Sequence, residues 1–188
     1  MFYNIYPSKD NTIYNVRLNG NIVSSSNAGY SEILEVLHLT SSYSNRGDSR
    51  ILMQFDFTSL SAAIAAGTIP SSSVQYNLHL KNAVHSEEVP SSFELKVLPL
   101  SSSWDEGRGL SNYDEGIKDR SQFSTWANRT SVATWTIAGG DTLNTFTGTQ
   151  SFDSGFEDLN IDISSMVVAW LSGVLPNNGL MIRLNDVY

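Results

Sequence analysis

The feature that most constrains this chain is a series of short segments in which apolar and polar residues alternate. Such alternation with period two is typical of a β-strand that is buried on one face. Turns rich in Ser, Asn and Gly separate these segments, and many short strands of this kind favour a sandwich or jelly roll over an α/β sheet. We therefore predict an all-β fold, a two-sheet jelly-roll sandwich. The predicted strands are residues 12–16, 33–39, 50–57, 74–80, 93–98 and 180–184.

One or two short helices are expected beside these strands. Residues 60–66 are rich in Ala and end at Gly67, which favours a first helix. Residues 163–171 place an apolar stripe that includes Trp170 on one face, behind a capping residue at Asp162 or Ser164. We expect the second helix to dock on the sandwich through Trp170. Inward-facing strand residues are predicted to be Ile51, Met53, Phe55, Tyr76, Leu78 and Leu80.

Length, cysteine content and charge narrow the classes of protein. A chain of 188 residues is enough for one domain with a sizeable core, so we predict one jelly-roll domain over residues 1–188. The absence of Cys excludes disulfides and thiolate sites. A net charge of −8 disfavours nucleic acid and anionic membranes as partners. The N-terminus lacks a basic start and a long apolar run, so no signal peptide is expected.

Several segments of the chain match, in order, the motifs of one known family. The most specific are Ser49-Arg50-Ile51-Leu52-x-Gln54-Phe55-Asp56, Ser103-Trp104-x-Glu106-Gly107-x-Gly109, and Val167-x-x-Trp170-x-x-Gly173 with Asn178-Gly179-Leu180 after it; Asn27-x-Gly29 is a shorter match. This order resembles the DNRLRE family, whose members are jelly-roll domains similar to the growth-factor propeptide sandwich, with versions in virion structural proteins of tailed phages.

The resemblance implies a non-catalytic virion structural protein of a tail, fibre, baseplate or neck. Its location would be the virion, and its partners would be other virion proteins and further copies of itself. Bacterial surface members are similar to carbohydrate-binding modules, so the alternative is a glycan-binding module of an extracellular or cell-surface protein. Members usually continue beyond the Asn-Gly-Leu strand, whereas this chain stops at Tyr188. We expect the chain to be the N-terminal part of a longer one, or a partner to supply a strand at an open edge beside residues 180–184.

No pattern in the chain indicates catalysis, and we predict that it is not an enzyme. The carboxylate pairs Asp105/Glu106 and Asp114/Glu115 are adjacent in sequence. On an extended chain they point to opposite faces and cannot flank one bond. The histidines lack the spacing of a zinc site; they are His38, His79 and His85.

The tripeptide Arg46-Gly47-Asp48 matches an adhesive motif. It lies among Ser and Asn residues, so we interpret it as a turn in which Gly47 adopts a positive φ.

Residues 101–160 form a long irregular connection that holds three of the four Trp residues. Long loops on a rigid scaffold often carry binding sites. Exposed rings of Trp104 and Trp126 would stack on a sugar while Asn128 binds its hydroxyls. The alternative, which we favour, is that most of the Trp residues fill the core, with Trp126 the best candidate for exposure. The residues assigned to the core are Trp104, Trp135 and Trp170.

Acidic loops supply the oxygen ligands that Ca²⁺ prefers. No cofactor is required by any motif, but a structural Ca²⁺ would suit a sandwich without disulfides. No loop has the dense alternation of Asp found in dedicated calcium sites. The candidate ligands are Asp10, Asp141, Asp153 and Asp158.

Overall fold

The computed structural model describes residues 3–18, 21–42, 45–70, 72, 74–85, 92–109 and 123–185. In chain order the elements are β1 (Pro7–Leu18), β2 (Asn21–Val23), β3 (His38–Ser42), β4 (Asn45–Phe55), α1 (Thr58–Ala65), β5 (Asn77–Leu80), β6 (Phe93–Pro99), β7 (Gly148–Phe152), β8 (Leu159–Asp162), α2 (Ser164–Leu171) and β9 (Leu180–Leu184).

These strands form two antiparallel sheets of unequal size. The large sheet has seven strands in the order β2-β1-β4-β9-β6-β7, and β3 also pairs with β4. The small sheet consists of β5 and β8. The prediction of an all-β sandwich with two short helices is confirmed. Neither helix of the described part is long and apolar enough to cross a membrane.

Strand β4 is the centre of the large sheet and is apolar on both faces. The run Ile51-Leu52-Met53 is the continuous apolar stretch expected of a strand that is covered on both sides. Ile51 and Met53 belong to one core, and Leu52 belongs to another. The large sheet is therefore the middle layer of the molecule.

The first core lies between the large sheet, the small sheet and α2. All the residues that we predicted to face inward contribute to it, because Tyr76 and Leu80 are partly buried against its fully buried members. Those members are Ile51, Met53, Phe55, Leu78, Val97, Phe152, Leu159, Ile161, Ile163, Met166, Val167, Trp170, Leu180 and Ile182.

The second core lies on the opposite face of the large sheet. Leu100, Trp104 and Trp135 pack there against sheet residues that include Leu52 and Met181. The described parts of residues 100–145 therefore form a covering layer. The segment is irregular, as predicted, and Trp104 and Trp135 are buried in it, as the favoured assignment of these residues to the core requires.

Strand β9 lies inside the large sheet. Ile182 is opposite Ile51 of β4 on one side and opposite Val97 of β6 on the other. The expected open edge at residues 180–184 is therefore wrong, since β9 and both of its neighbours lie inside the sheet. A strand supplied or continued after Tyr188 stays a prediction, because residues 186–188 lie outside the described residues.

The tripeptide Arg46-Gly47-Asp48 was predicted to form a turn, and the structure shows otherwise. It lies in β4, where Gly47 is opposite Val16 of β1 and Leu39 of β3. Gly47 has a φ of +133°, and a Cβ there would lie 2.0 Å from the carbonyl oxygen of Asn15. The predicted positive φ of Gly47 is confirmed, but the prediction of a turn was wrong. Gly47 lies within β4, where the lack of a side chain lets the neighbouring strand approach closely.

The predicted strand 33–39 is only partly formed. His38 and Leu39 belong to β3, whereas the preceding residues bind side-chain hydroxyls. The N–H of Glu35 donates to Oγ1 of Thr12 at 3.2 Å, and the N–H of Leu37 donates to Oγ of Ser49 at 2.8 Å. Hydroxyls of the neighbouring strands thus replace a backbone ladder.

Candidate functional site

Trp104 fills the second core. It is 1% exposed, and its indole N–H donates to the carbonyl oxygen of Asn178 at 3.0 Å. The Nζ of Lys9 lies 4.4 Å from the ring centroid and also donates to the carbonyl oxygen of Trp104. Trp104 is thus a core residue, as we favoured from the sequence, and its ring offers no open face to a ligand.

Charged groups surround the start of β1 beside Trp104. Burial lowers the pKa of Lys9, although the carboxylates of Asp105 and Glu106 act in the opposite direction. Burial, together with the charge of Glu106, raises the pKa of Asp10. The backbone N–H of Asp10 donates to Oε1 of Glu106 at 2.9 Å. Glu106 thus fastens the covering layer to β1.

Trp126 is half-buried, and a cation lies on its ring. The guanidinium carbon of Arg50 is 4.5 Å from the ring centroid. Arg50 also donates to the carbonyl oxygen of Gly139 at 2.8 Å. The N–H of Gly139 in turn donates to the backbone carbonyl oxygen of Trp126 at 2.6 Å. One face of the ring is therefore taken by Arg50, and the ring also packs against the second core. Both contacts reduce the area that a sugar could cover.

Asn128, the third predicted binding residue, lies in the turn after Trp126. Its N–H donates to Oγ1 of Thr125 at 3.1 Å, and its carbonyl oxygen accepts from the N–H of Thr125 at 2.8 Å. It is opposite Thr134 in an isolated bridge. These contacts shape a hairpin that holds Trp126 in place.

Asp141 organises a turn of the covering layer. Its carboxylate accepts hydrogen bonds from the N–H groups of Thr136 at 2.9 Å and Ile137 at 2.8 Å. Burial raises the pKa of Asp141, but these hydrogen bonds outweigh it and hold the pKa below its ordinary value. The carboxylate oxygens thus bind the backbone.

Asp153 and Asp158 lie at the two ends of the loop between β7 and β8. Oδ1 of Asp158 accepts from the N–H of Asn82 at 2.9 Å, and its Oδ2 lies 3.7 Å from Nε2 of His79. Between them, Oε1 of Glu157 accepts from the N–H groups of Asp153 and Ser154. Backbone hydrogen bonds lower the pKa of Glu157 to about 2.

The four candidate calcium ligands do not form one site. Asp10 lies beside Glu106, Asp141 caps its own turn, and the other two belong to the β7–β8 loop. Across the described ranges no group of three His, Asp or Glu side chains is arranged to hold a metal ion. The pair Asp114/Glu115 lies outside the described residues.

A buried amide network, which the sequence analysis missed, joins β1 to the covering layer. Asn11 is 0% exposed; its Nδ2 donates to the oxygens of Ser124, and its Oδ1 accepts from Ala28. Asn27 donates to the carbonyl oxygen of Ser124 at 2.8 Å and accepts from the N–H of Gly109 at 3.0 Å. Two segments of the family resemblance, Asn27-x-Gly29 and Glu106-Gly107-x-Gly109, therefore contact each other. The paired motifs were the only sequence signal of this contact.

A stack of one partly buried ring and one exposed ring joins the segment after β5 to the β7–β8 loop. The rings of His85 and Phe156 are nearly parallel, with centroids 5.3 Å apart and an interplanar angle of 11°. Phe156 is 64% exposed, and Val84 beside His85 is fully exposed. We call these three residues the His85–Phe156 surface. Nothing local in the sequence links residue 85 to residue 156, so this surface could not be predicted from the sequence.

A scan against models of protein families, a search of curated proteins and a search of solved structures each gave no match. The resemblance to the DNRLRE family therefore rests on the sequence motifs alone.

Proposed function

We propose that the chain is a non-catalytic structural module of a tailed-phage virion, which joins a multi-copy assembly through contacts with neighbouring proteins. The observation that carries this proposal is the resemblance to the phage versions of the DNRLRE family, of which two matching segments, Asn27-x-Gly29 and Glu106-Gly107-x-Gly109, contact each other in the structure. Large apolar side chains that are exposed singly are ordinary on a protein surface, so they mark candidate contact points and do not by themselves identify an interface. In the described residues, the large apolar side chains that are more than half exposed are Tyr3, Tyr6, Tyr30, Ile33, Val84, Val132, Ile137, Phe156, Val168 and Val174.

The use of the polar side chains supports a structural role. Asp141 and Glu157 accept hydrogen bonds from backbone N–H groups, and the amide of Asn11 is fully engaged inside the protein. Groups that satisfy buried or turn backbone stabilise one rigid shape. A rigid shape with apolar contact points suits an assembly module.

Carbohydrate binding is the alternative proposal, and it has less support. It depends on open Trp faces, whereas Trp104 is buried and one face of Trp126 carries Arg50. An extracellular or cell-surface location belongs to this alternative. Binding of the purified chain to an array of glycans, weakened by Trp126→Ala, would favour it over the virion proposal.

Purified particles provide the direct test. Particles from a culture that produces this chain would be banded by density and washed at high salt, and their proteins quantified by mass spectrometry. We expect the chain at a fixed ratio to the major coat protein in every band that contains intact particles. A chain that stays in the particle-free fraction, or whose amount varies independently of coat protein, would contradict the proposal.

A further inference from the structure

The exposed ring of Phe156 is held in one orientation. Its loop is tied to the segment after β5 by Asn82, whose side chain donates to the carbonyl oxygen of Gly155 at 2.7 Å and whose N–H donates to Asp158. Glu157 binds the N–H groups at the start of the same loop. His85 covers one face of the ring. The opposite face is therefore presented to solvent by a scaffold that is already ordered, which lowers the entropic cost of binding.

The charge around this ring is negative. The facing segments 79–85 and 153–158 contain three carboxylates, Asp153, Glu157 and Asp158, against the single lysine Lys81. Asp153 and Asp158 are exposed in the same β7–β8 loop as Phe156, whereas Oε1 of Glu157 is taken by backbone N–H groups and its Oε2 is buried. The face of an aromatic ring is itself the negative end of its quadrupole. An approaching cation is therefore attracted both by the ring and by the carboxylates.

We propose that the His85–Phe156 surface binds an arginine side chain of a partner protein, with the guanidinium stacked on the open face of Phe156 and paired with the exposed carboxylate of Asp153 or Asp158. The inference rests on the proposed function and identifies one contact of the assembly. A guanidinium is planar and weakly hydrated, so it stacks on a ring better than an ammonium group does. A neutral sugar would gain nothing from the charge of the loop, and arginine and aromatic residues are typical anchors of protein interfaces.

The test uses a short peptide with one arginine, capped at both ends, and the same peptide with citrulline, which has the same shape without the charge. Binding to the whole chain is followed by the NMR shifts of the Phe156 ring at low salt. We expect saturable shifts in the millimolar range with arginine, and binding at least about fivefold weaker with citrulline or at high salt. Phe156→Leu keeps an apolar side chain but removes the ring, and it should weaken binding about two- to fivefold, followed through amide shifts in the loop.

A control variant distinguishes binding at this surface from non-specific binding of the peptide to exposed apolar side chains. Val132→Ser removes an exposed apolar side chain, 93% accessible, from a turn of the covering layer. It should leave arginine binding unchanged, and circular dichroism melts should show that both variants fold. Equal binding of the arginine and citrulline peptides, unchanged binding in Phe156→Leu, or preferential binding of oligosaccharides at these residues would overturn the inference.

The outcome can be told apart from that of the proposed function. If the chain is present in particles but the arginine peptide does not bind, only this inference fails. If the peptide binds as expected but the chain is absent from particles, the virion proposal fails, and the surface must contact an arginine of some other assembly.

Discussion

The side-chain oxygen of Gln150 accepts a hydrogen bond from the backbone N–H of Asn160 at 2.7 Å. The Nε2 of the same side chain donates to the carbonyl oxygen of Asp158 at 2.9 Å. Gln150 belongs to β7 of the large sheet, and Asn160 belongs to β8 of the small sheet. One amide thus binds the edge of β8 as the backbone of a neighbouring strand would, and it joins the two sheets.

Replacing Gln150 tests this link. Gln150→Met preserves the length of the side chain and removes both hydrogen bonds, so we expect a loss of about 1–2 kcal/mol in the free energy of unfolding. Urea denaturation followed by Trp fluorescence measures it. Thr149→Ser on the exposed side of the same strand is the control and should change stability by less than about 0.5 kcal/mol. A loss no larger than that of the control would mean that water replaces the amide without cost.

Trp170 tests the docking of α2. It is 7% exposed, and its ring stacks on that of Phe57 with centroids 5.9 Å apart. Trp170→Ala should cost about 3–5 kcal/mol, because it leaves a large cavity in the first core. A loss below about 1 kcal/mol on denaturation would contradict the burial of the ring. Val168→Ala, in the same helix but exposed, serves as the comparison and should have little effect.

Trp170→Phe should behave differently from the alanine variant. The Nε1 of Trp170 is buried, and the structure gives it no hydrogen-bond partner among the described residues. Phenylalanine keeps an aromatic ring and removes this unpaired donor, whose burial costs about 1–3 kcal/mol. Removing the unpaired donor stabilises the fold, whereas the smaller ring of Phe leaves a cavity that destabilises it. We therefore expect the free energy of unfolding of Trp170→Phe to lie within about 1.5 kcal/mol of the wild-type value. A loss as large as that of Trp170→Ala would show that the N–H is satisfied.

Local periodicity predicted the elements that have one polar face or one apolar stripe. Strand β9 was predicted with its observed bounds, and the stripe that contains Val167 and Trp170 predicted α2. Each of these two patterns is local, because it consists of residues only a few positions apart in the chain. They report which face is buried, but they do not report which neighbour covers it, so β9 was expected at an edge and is found between β4 and β6.

Contacts between distant polar residues could not be predicted in this way. Asn11 and Ser124 are 113 residues apart, and neither has a neighbour that indicates the other. An Asn in a strand is equally compatible with an exposed position. The burial of Trp104 and Trp135 was favoured because Trp is usually buried, but an irregular segment shows no period that would say what these rings cover. That surface is the second apolar face of β4, which Leu52 indicates.

The amide network makes a prediction of its own. Asn11→Ala removes the partners of the Ala28 N–H and of the Ser124 oxygens inside the protein. Unsatisfied buried groups cost about 1–3 kcal/mol each, so we expect a loss of about 3 kcal/mol and faster amide exchange at Ala28. Asn15→Ala, in the same strand but exposed, is the matched control. Unchanged exchange at Ala28 would contradict the network.

The last prediction concerns the pH dependence of stability through Asp141. The hydrogen bonds from Thr136 and Ile137 hold its folded-state pKa below the ordinary value of 3.8, despite the opposing effect of burial. A carboxyl with a depressed pKa contributes stability that is present above its unfolded-state pKa and is lost as pH falls through the folded-state pKa. Part of the acid denaturation of this protein, below about pH 4, should therefore depend on Asp141.

Asp141→Asn separates this contribution from the others. The amide keeps one acceptor oxygen but cannot accept both backbone N–H groups as an ionised carboxylate does, so we expect a loss of about 1–3 kcal/mol at pH 7. The difference from the wild type should shrink as pH falls from 5 to 2, because the wild-type carboxyl becomes protonated. Ser102→Ala, which removes a hydroxyl 3.5 Å from the same carboxylate, should keep most of the wild-type profile. Denaturation curves at a series of pH values give both profiles, and a constant difference between Asp141→Asn and the wild type from pH 7 to pH 2 would show that ionisation of Asp141 does not stabilise the turn.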